Sequence, residues 1–162
     1  MSSEAAGNRV LVIGIGNPDR GDDAIGPAVA GLVRREQACT GAEVITRSGD
    51  MLGLIEDWMR SDVAILIDAA APRLQPGRTH RVDASSGALP HGLTLISDRA
   101  STHSFGVAEA LELGAILHRL PARLVLYAVE GACFEPGSPM TPAVAAAAAT
   151  VAQDVLRELR HR

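Results

Sequence analysis

Three places in this chain carry side chains that could together hold a divalent metal. They are the acidic pair Asp22 and Asp23, the single carboxylate Asp68, and the imidazole of His103. Two carboxylates and one imidazole with open coordination positions suit a borderline ion such as nickel or zinc. Imidazole binds metal in its neutral form, and the positive end of a helix beside His103 would favour that form. Taken singly, each residue also has an ordinary structural use. Asp22 or Asp23 can cap a helix, Asp68 can organise a loop, and His103 can lie on the surface at a helix start. Other chemistries find less support. Gly14-x-Gly16 suggests a dinucleotide fingerprint, but its third glycine would fall on Asp19. The two carboxylates that follow would also repel a phosphate from the helix start. His80, His91, His103 and His118 make no HExxH, Ser85-Ser86-Gly87 is no GxSxG elbow, and neither cysteine lies beside a recognisable catalytic sequence. Convergent triads have no fixed sequence order, so these absences alone do not exclude one.

What would bring the three places together is the order of the elements. Val10 to Ile15 is a continuous apolar run, the pattern of a strand covered on both faces. Asp23 to Arg35 follows as a helix, with Ile25, Val29, Leu32 and Val33 on one face and Pro27 confined to the first turn. The polar stretch Gln37 to Gly41 closes that unit. Glu43 to Arg47 reads as a short strand, and Met51 to Met59 as a short amphipathic helix opened by Ser48-Gly49-Asp50. Val63 to Asp68 is a second buried strand, and Thr79 to Asp83 a short edge strand. Ser101 to Leu117 reads as a helix with Val107, Leu111, Gly114 and Ala115 on one face, and Leu124 to Val129 as the last strand. Thr141 and Pro142 open a long helix as N-cap and first residue, with Val144, Ala148, Val151 and Val155 as its buried stripe. The alanine run Ala145 to Ala149 fits a helix that approaches a sheet closely. Alternating strands and helices imply an α/β fold with a mainly parallel sheet and helices on both faces. In such a fold ligands bind beyond the carboxyl ends of the strands, where the strand order reverses. Asp23, Asp68 and His103 all come from segments expected at that edge.

The bulk properties bound the remaining possibilities. A chain of 162 residues suggests one domain spanning residues 1–162. Hydrophobic residues make up 47% and aromatics only 2%, so the core must be built from Ala, Val, Leu and Ile. The net charge of -4, with arginines scattered along the chain, argues against a nucleic-acid partner. Cys39 and Cys133 form no CxxC pair and no disulfide framework, which fits free thiols in a reducing compartment. Met1 to Asn8 lacks the order of a secretory signal. The weakly polar run Ala143 to Ala152 falls short of the ~20 apolar residues a membrane span needs. The expectation is a cytoplasmic protein with no membrane association.

At these same residues the chain resembles the hydrogenase maturation endopeptidases, along nearly its whole length. VLVIGIGNPDRGDDAIGP (Val10 to Pro27) is similar to the family's opening: a strand, GxGN, a short spacer, an acidic pair and a small-residue helix start. LIDAA (Leu66 to Ala70) is similar to its strand-terminal aspartate segment. STHSFGVAEAL (Ser101 to Leu111) resembles its Ser-x-His segment and helix. YAVEG (Tyr127 to Gly131) and FEPGSPMTP (Phe134 to Pro142) resemble its last strand and the loop that follows. The resemblance implies an α/β/α sandwich with a five-stranded, mostly parallel sheet, in which Thr79 to Asp83 is the antiparallel strand. It implies an endopeptidase of the aspartyl type. Such an enzyme removes the C-terminal extension of a [NiFe]-hydrogenase large-subunit precursor after nickel insertion. It implies Asp23, Asp68 and His103 as the catalytic, metal-contacting residues, with nickel supplied by the precursor. Two positions depart from the pattern. Asp23 stands where some members have Glu, and Arg47-Ser48-Gly49-Asp50 stands where relatives often show paired glycines. A non-cleaving, nickel-sensing checkpoint or chaperone for the precursor is the competing reading, since no nucleophile is evident. A small-molecule hydrolase or phosphorylase would need a phosphate cradle, and Arg20 is the only basic residue in the first loop.

Overall fold

The computed structural model describes residues 8–47, 52–97 and 106–161. Five strands form one sheet: β1 (Val10–Ile15), β2 (Glu43–Arg47), β3 (Val63–Ala70), β4 (Thr79–Asp83) and β5 (Arg123–Glu130). Their order across the sheet is β2-β1-β3-β5-β4. β2, β1, β3 and β5 run parallel, and β4 pairs antiparallel with β5 at the edge. Every residue of β1 and β3 is buried. That accounts for their unbroken apolar runs, because both sheet faces are covered.

One face carries α1 (Ile25–Arg35) and α5 (Pro142–Arg160). Ile25, Val29 and Val33 of α1, with Val144, Val151 and Val155 of α5, pack on Val12, Ile65, Ile67 and Val125. The other face carries α3 (Leu52–Trp58) and α4 (Val107–Ile116). Leu54, Trp58, Val107 and Leu111 pack there on Ile13, Leu66, Leu124 and Leu126. Strand side chains alternate between faces, so Ile67 belongs to the α1/α5 face and Leu66 to the α3/α4 face. The indole of Trp58 is fully buried and donates from Nε1 to the carbonyl of Arg119 at 2.9 Å.

Several expectations need adjustment. The stretch after α1 includes a short helix, α2 (Gln37–Thr40), which Gly41 ends in a left-handed conformation (φ 65°). The first helix does not begin at Asp23. Gly21–Ala24 is a separate 3-10 turn, and α1 follows it. Gly106 is the N-cap of α4, with Glu109 reaching back to its N–H, so this helix begins at Val107 rather than Ser101. In the alanine run only Ala148 is buried, while Ala145, Ala146 and Ala149 are exposed. The run therefore supplies helix propensity on an outer surface, and the close approach to the sheet comes from α1. β3 and β5 each extend beyond the predicted runs, to Ala70 and Glu130. Cys39 and Cys133 are unpaired. Among the described residues no helix is long and apolar enough to cross a membrane.

Candidate active site

β2 flanks β1 on one side and β3 flanks it on the other, so the strand order reverses between β1 and β3. The crevice beyond their carboxyl ends is the expected ligand position. Asp23 follows β1. Asp68 lies in β3, one residue past Ile67, which stands opposite Gly14 of β1. A cavity of about 530 Å³ at the amino ends of β1 and β2, lined by Arg9, Val10, Glu43 and Glu56, contains neither aspartate.

Two glycines make the close packing at this edge possible. A Cβ on Gly26 would lie 2.1 Å from the Ile15 carbonyl oxygen and 2.7 Å from that of Ile67. The start of α1 thus rests directly on the ends of both strands. Gly16 has a φ of +139°, and a Cβ there would lie 2.0 Å from the Asp23 carbonyl oxygen. The 3-10 turn can therefore fold back over the end of β1 only with glycine at this position.

Backbone bonds fix that turn from both sides. The N–H of Arg20 donates to Asn17, and that of Asp23 to Arg20, at 3.2 and 3.1 Å. The N–H groups of Gly21 and Asp22 donate to the carbonyls of Ser138 and Cys133, in the loop between β5 and α5. The fully buried Asp22 completes the tie. Its Oδ2 accepts from the N–H of Ala132 and Cys133 at 2.7 and 3.1 Å, and its Oδ1 from the N–H of Thr141 at 2.7 Å. The Thr141 hydroxyl also donates to the carboxylate. Burial pushes the Asp22 carboxyl upward, but these donors outweigh it and hold the carboxyl below its ordinary value. Thr141 is the N-cap of α5 by position, yet its side chain makes no capping bond. Its hydroxyl is committed to Asp22 instead.

Asp23 differs from its neighbour. It is 7% exposed. Its Oδ2 accepts from the N–H of Asn17 at 2.8 Å, while Oδ1 is sealed from solvent and has no partner among the described residues. Burial pushes its carboxyl above the ordinary value, against the Asn17 hydrogen bond and the positive charge of Arg20. An unpartnered, buried carboxylate oxygen is a fitting ligand for a cation. Asp68 is completely buried. Its Oδ1 accepts from the N–H of Ala69 at 2.8 Å and its Oδ2 from the Ser97 hydroxyl at 2.5 Å. The carboxylates of Asp23 and Asp68 thus come from the same end of adjacent strands. His103 lies outside the described residues, as does Ser48-Gly49-Asp50. Among the described residues, no three His, Cys, Asp or Glu side chains gather closely enough to hold a metal.

Asp22 and Asp23 are equally plausible caps in the sequence, and neither is one, since Arg20 and Ala24 hold those positions. Asp22 is the tie and Asp23 holds the spare oxygen. No pattern announced Ser97 as the partner of Asp68. Glu130 was also missed. It is 1% exposed and accepts from the N–H of Leu74 and Gln75 and pairs with His80 at 2.9 Å, anchoring the loop between β3 and β4. Its place in YAVEG was the available signal.

Comparison with known proteins agrees with this architecture. Residues 45–158 match the family HycI: Hydrogenase maturation protease. Hydrogenase expression/formation protein HupD of Bradyrhizobium diazoefficiens is 30% identical over 146 residues, covering 89% of this chain and 74% of that protein. The hydrogenase 2 maturation protease of Escherichia coli is 27% identical over 153 residues, 94% of this chain and 91% of the relative. The structure of the hydrogenase maturating endopeptidase HybD from E. coli superposes with a TM-score of 0.70 at 24% identity, over 94% of this chain and 93% of that one, a likeness of fold. The chain therefore belongs to the hydrogenase maturation protease family, a family of peptidases.

Proposed function

We propose that this protein is the endopeptidase that removes the C-terminal extension of a [NiFe]-hydrogenase large-subunit precursor once nickel has been inserted. Asp23, Asp68 and His103 contact the nickel that the precursor carries. The observation that supports this most is the unpartnered Oδ1 of Asp23, a buried carboxylate oxygen beside the β1–β3 crevice. Asp68 lies near the carboxyl end of the neighbouring strand, with its carboxylate held in place by Ser97. In the free protein Asp23 meets one donor and a nearby cation, so it is set to receive a further positive charge. A metal borne by the substrate would meet that need and report that the precursor is loaded.

The chain's own contribution is positioning. The Gly16 and Gly26 contacts hold the turn on the strand ends, Asp22 fixes it to the loop before α5, and Asn17 orients the Asp23 carboxylate. The test is the mass of a nickel-loaded precursor after incubation with the protein and with Asp23→Asn, Asp68→Asn and His103→Ala. Wild type should shorten the precursor, and each variant should lose most of that activity while keeping its fold. Full activity in all three variants would refute the site.

A further inference from the structure

The turn that carries Asp23 holds a second orphaned polar atom. Nε of Arg20 is sealed from solvent and has no hydrogen-bond partner among the described residues. Arg20 is three residues before Asp23, and its charge acts on the Asp23 carboxylate. The two nevertheless form no ion pair. Asp23 keeps its Oδ1 free, and Arg20 keeps its Nε–H free. Leaving a buried donor and a buried acceptor unpaired in one turn is costly and uncommon in native proteins. Pairing them with each other would have removed both. The rest of the turn is well satisfied, since its backbone N–H groups and Asp22 have partners. Within the turn the two orphans are therefore confined to the side chains of Arg20 and Asp23.

These two needs have opposite sign. One ligand class meets both: a cation accompanied by an oxygen acceptor. We propose that Arg20 is a substrate-contacting residue, whose Nε–H donates to a backbone carbonyl oxygen of the precursor next to its metal. This rests on the function proposed above. Asp23 reads the metal and Arg20 reads the polypeptide that bears it. A free ion would satisfy only the first, so the pair distinguishes a loaded chain from an ion in solution. A guanidinium is suited to this role because its donors have fixed directions and it keeps its charge beside a metal.

The experiment compares wild type with Arg20→Met and Arg20→Lys. Three quantities are read: kcat/KM for nickel-loaded precursor, affinity for that precursor, and affinity for nickel ion alone by calorimetry. Losing one charge-assisted hydrogen bond should lower kcat/KM about 10- to 100-fold in Arg20→Met. Arg20→Lys should stay at least about tenfold impaired, since it keeps the charge without the fork. Affinity for nickel ion alone should hold or rise in Arg20→Met, because a repelling cation has gone. A merely structural role would lower it. Unchanged kcat/KM and precursor affinity in Arg20→Met would overturn the proposal. So would full recovery in Arg20→Lys, or loss of nickel-ion affinity in step with activity. If wild type binds loaded precursor without shortening it, the proteolytic reading fails, and the precursor affinities alone decide the Arg20 contact.

Discussion

Adjacent aspartates with opposite environments should respond in opposite ways when their charge is removed. Asp22→Ala would leave the N–H groups of Ala132, Cys133 and Thr141 without their acceptor. At about 1 kcal/mol for each part-buried donor, and with the Thr141 hydroxyl free to rotate elsewhere, the loss is about 3 kcal/mol. For a chain of this size that lowers Tm by about 6–12 °C. Asp23→Asn should behave differently. The amide oxygen can still accept from the N–H of Asn17, and the charge that is lost was one that burial disfavoured. Because the folded state raises this carboxyl above its unfolded value, the ionised group opposes folding at neutral pH. Asp23→Asn should therefore melt within about 3 °C of wild type or above it. Thermal melts of the three proteins at pH 7, with denaturant titrations beside them, measure both effects. Destabilisation of Asp23→Asn as large as that of Asp22→Ala would contradict these opposite roles, and so would an Asp22→Ala melt within about 2 °C of wild type.

Two further outcomes follow from the same geometry. Burial raises the carboxyls of Glu130 and Glu158, but their donors hold both below the ordinary glutamate value. Those donors are the Gln75 and Leu74 N–H groups with His80 for the first, and Arg81 with Tyr127 for the second. Their stabilisation is present above an unfolded pKa of about 4.3 and is lost as pH falls through the lower folded values. Acid titrations of Glu130→Gln and Glu158→Gln should show lower stability at pH 7 and a flatter dependence below pH 4.3, roughly; an acid limb identical to wild type would contradict this. Gly26→Ala should destabilise, with loss of processing, although alanine in an ordinary helix position gains ~1 kcal/mol over glycine, because its Cβ would meet two backbone oxygens that cannot move independently. A melt within 2 °C of wild type would contradict that, again roughly the resolution of the method.

The central strands β1 and β3 were legible because both of their faces are buried. Val10–Ile15 and the run from Val63 read as strands without any partner being known. Thr79–Asp83 was weaker in composition, because an edge strand has only Val82 to bury. Placing Asp23 and Asp68 at one edge needed only strand direction and order. The division of labour between Asp22 and Asp23 was not legible. It depends on Ala132, Cys133 and Thr141, more than a hundred residues along the chain. Nor did the sequence announce that Thr141 would turn its hydroxyl away from its own helix, since the competing acceptor is also remote. Alanine content carried the wrong inference at 145–149, because alanine serves an exposed helix face as well as a tight interface.

The proposed recognition of substrate-borne nickel by the protease is open to a two-by-two comparison. Chelator-treated and untreated protein should each be mixed with nickel-loaded and nickel-free precursor, and the products weighed. Cutting should occur in both loaded mixtures and in neither unloaded one. Equal cutting of nickel-free precursor would contradict it. So would chelator-treated protein that fails on loaded precursor until zinc is restored.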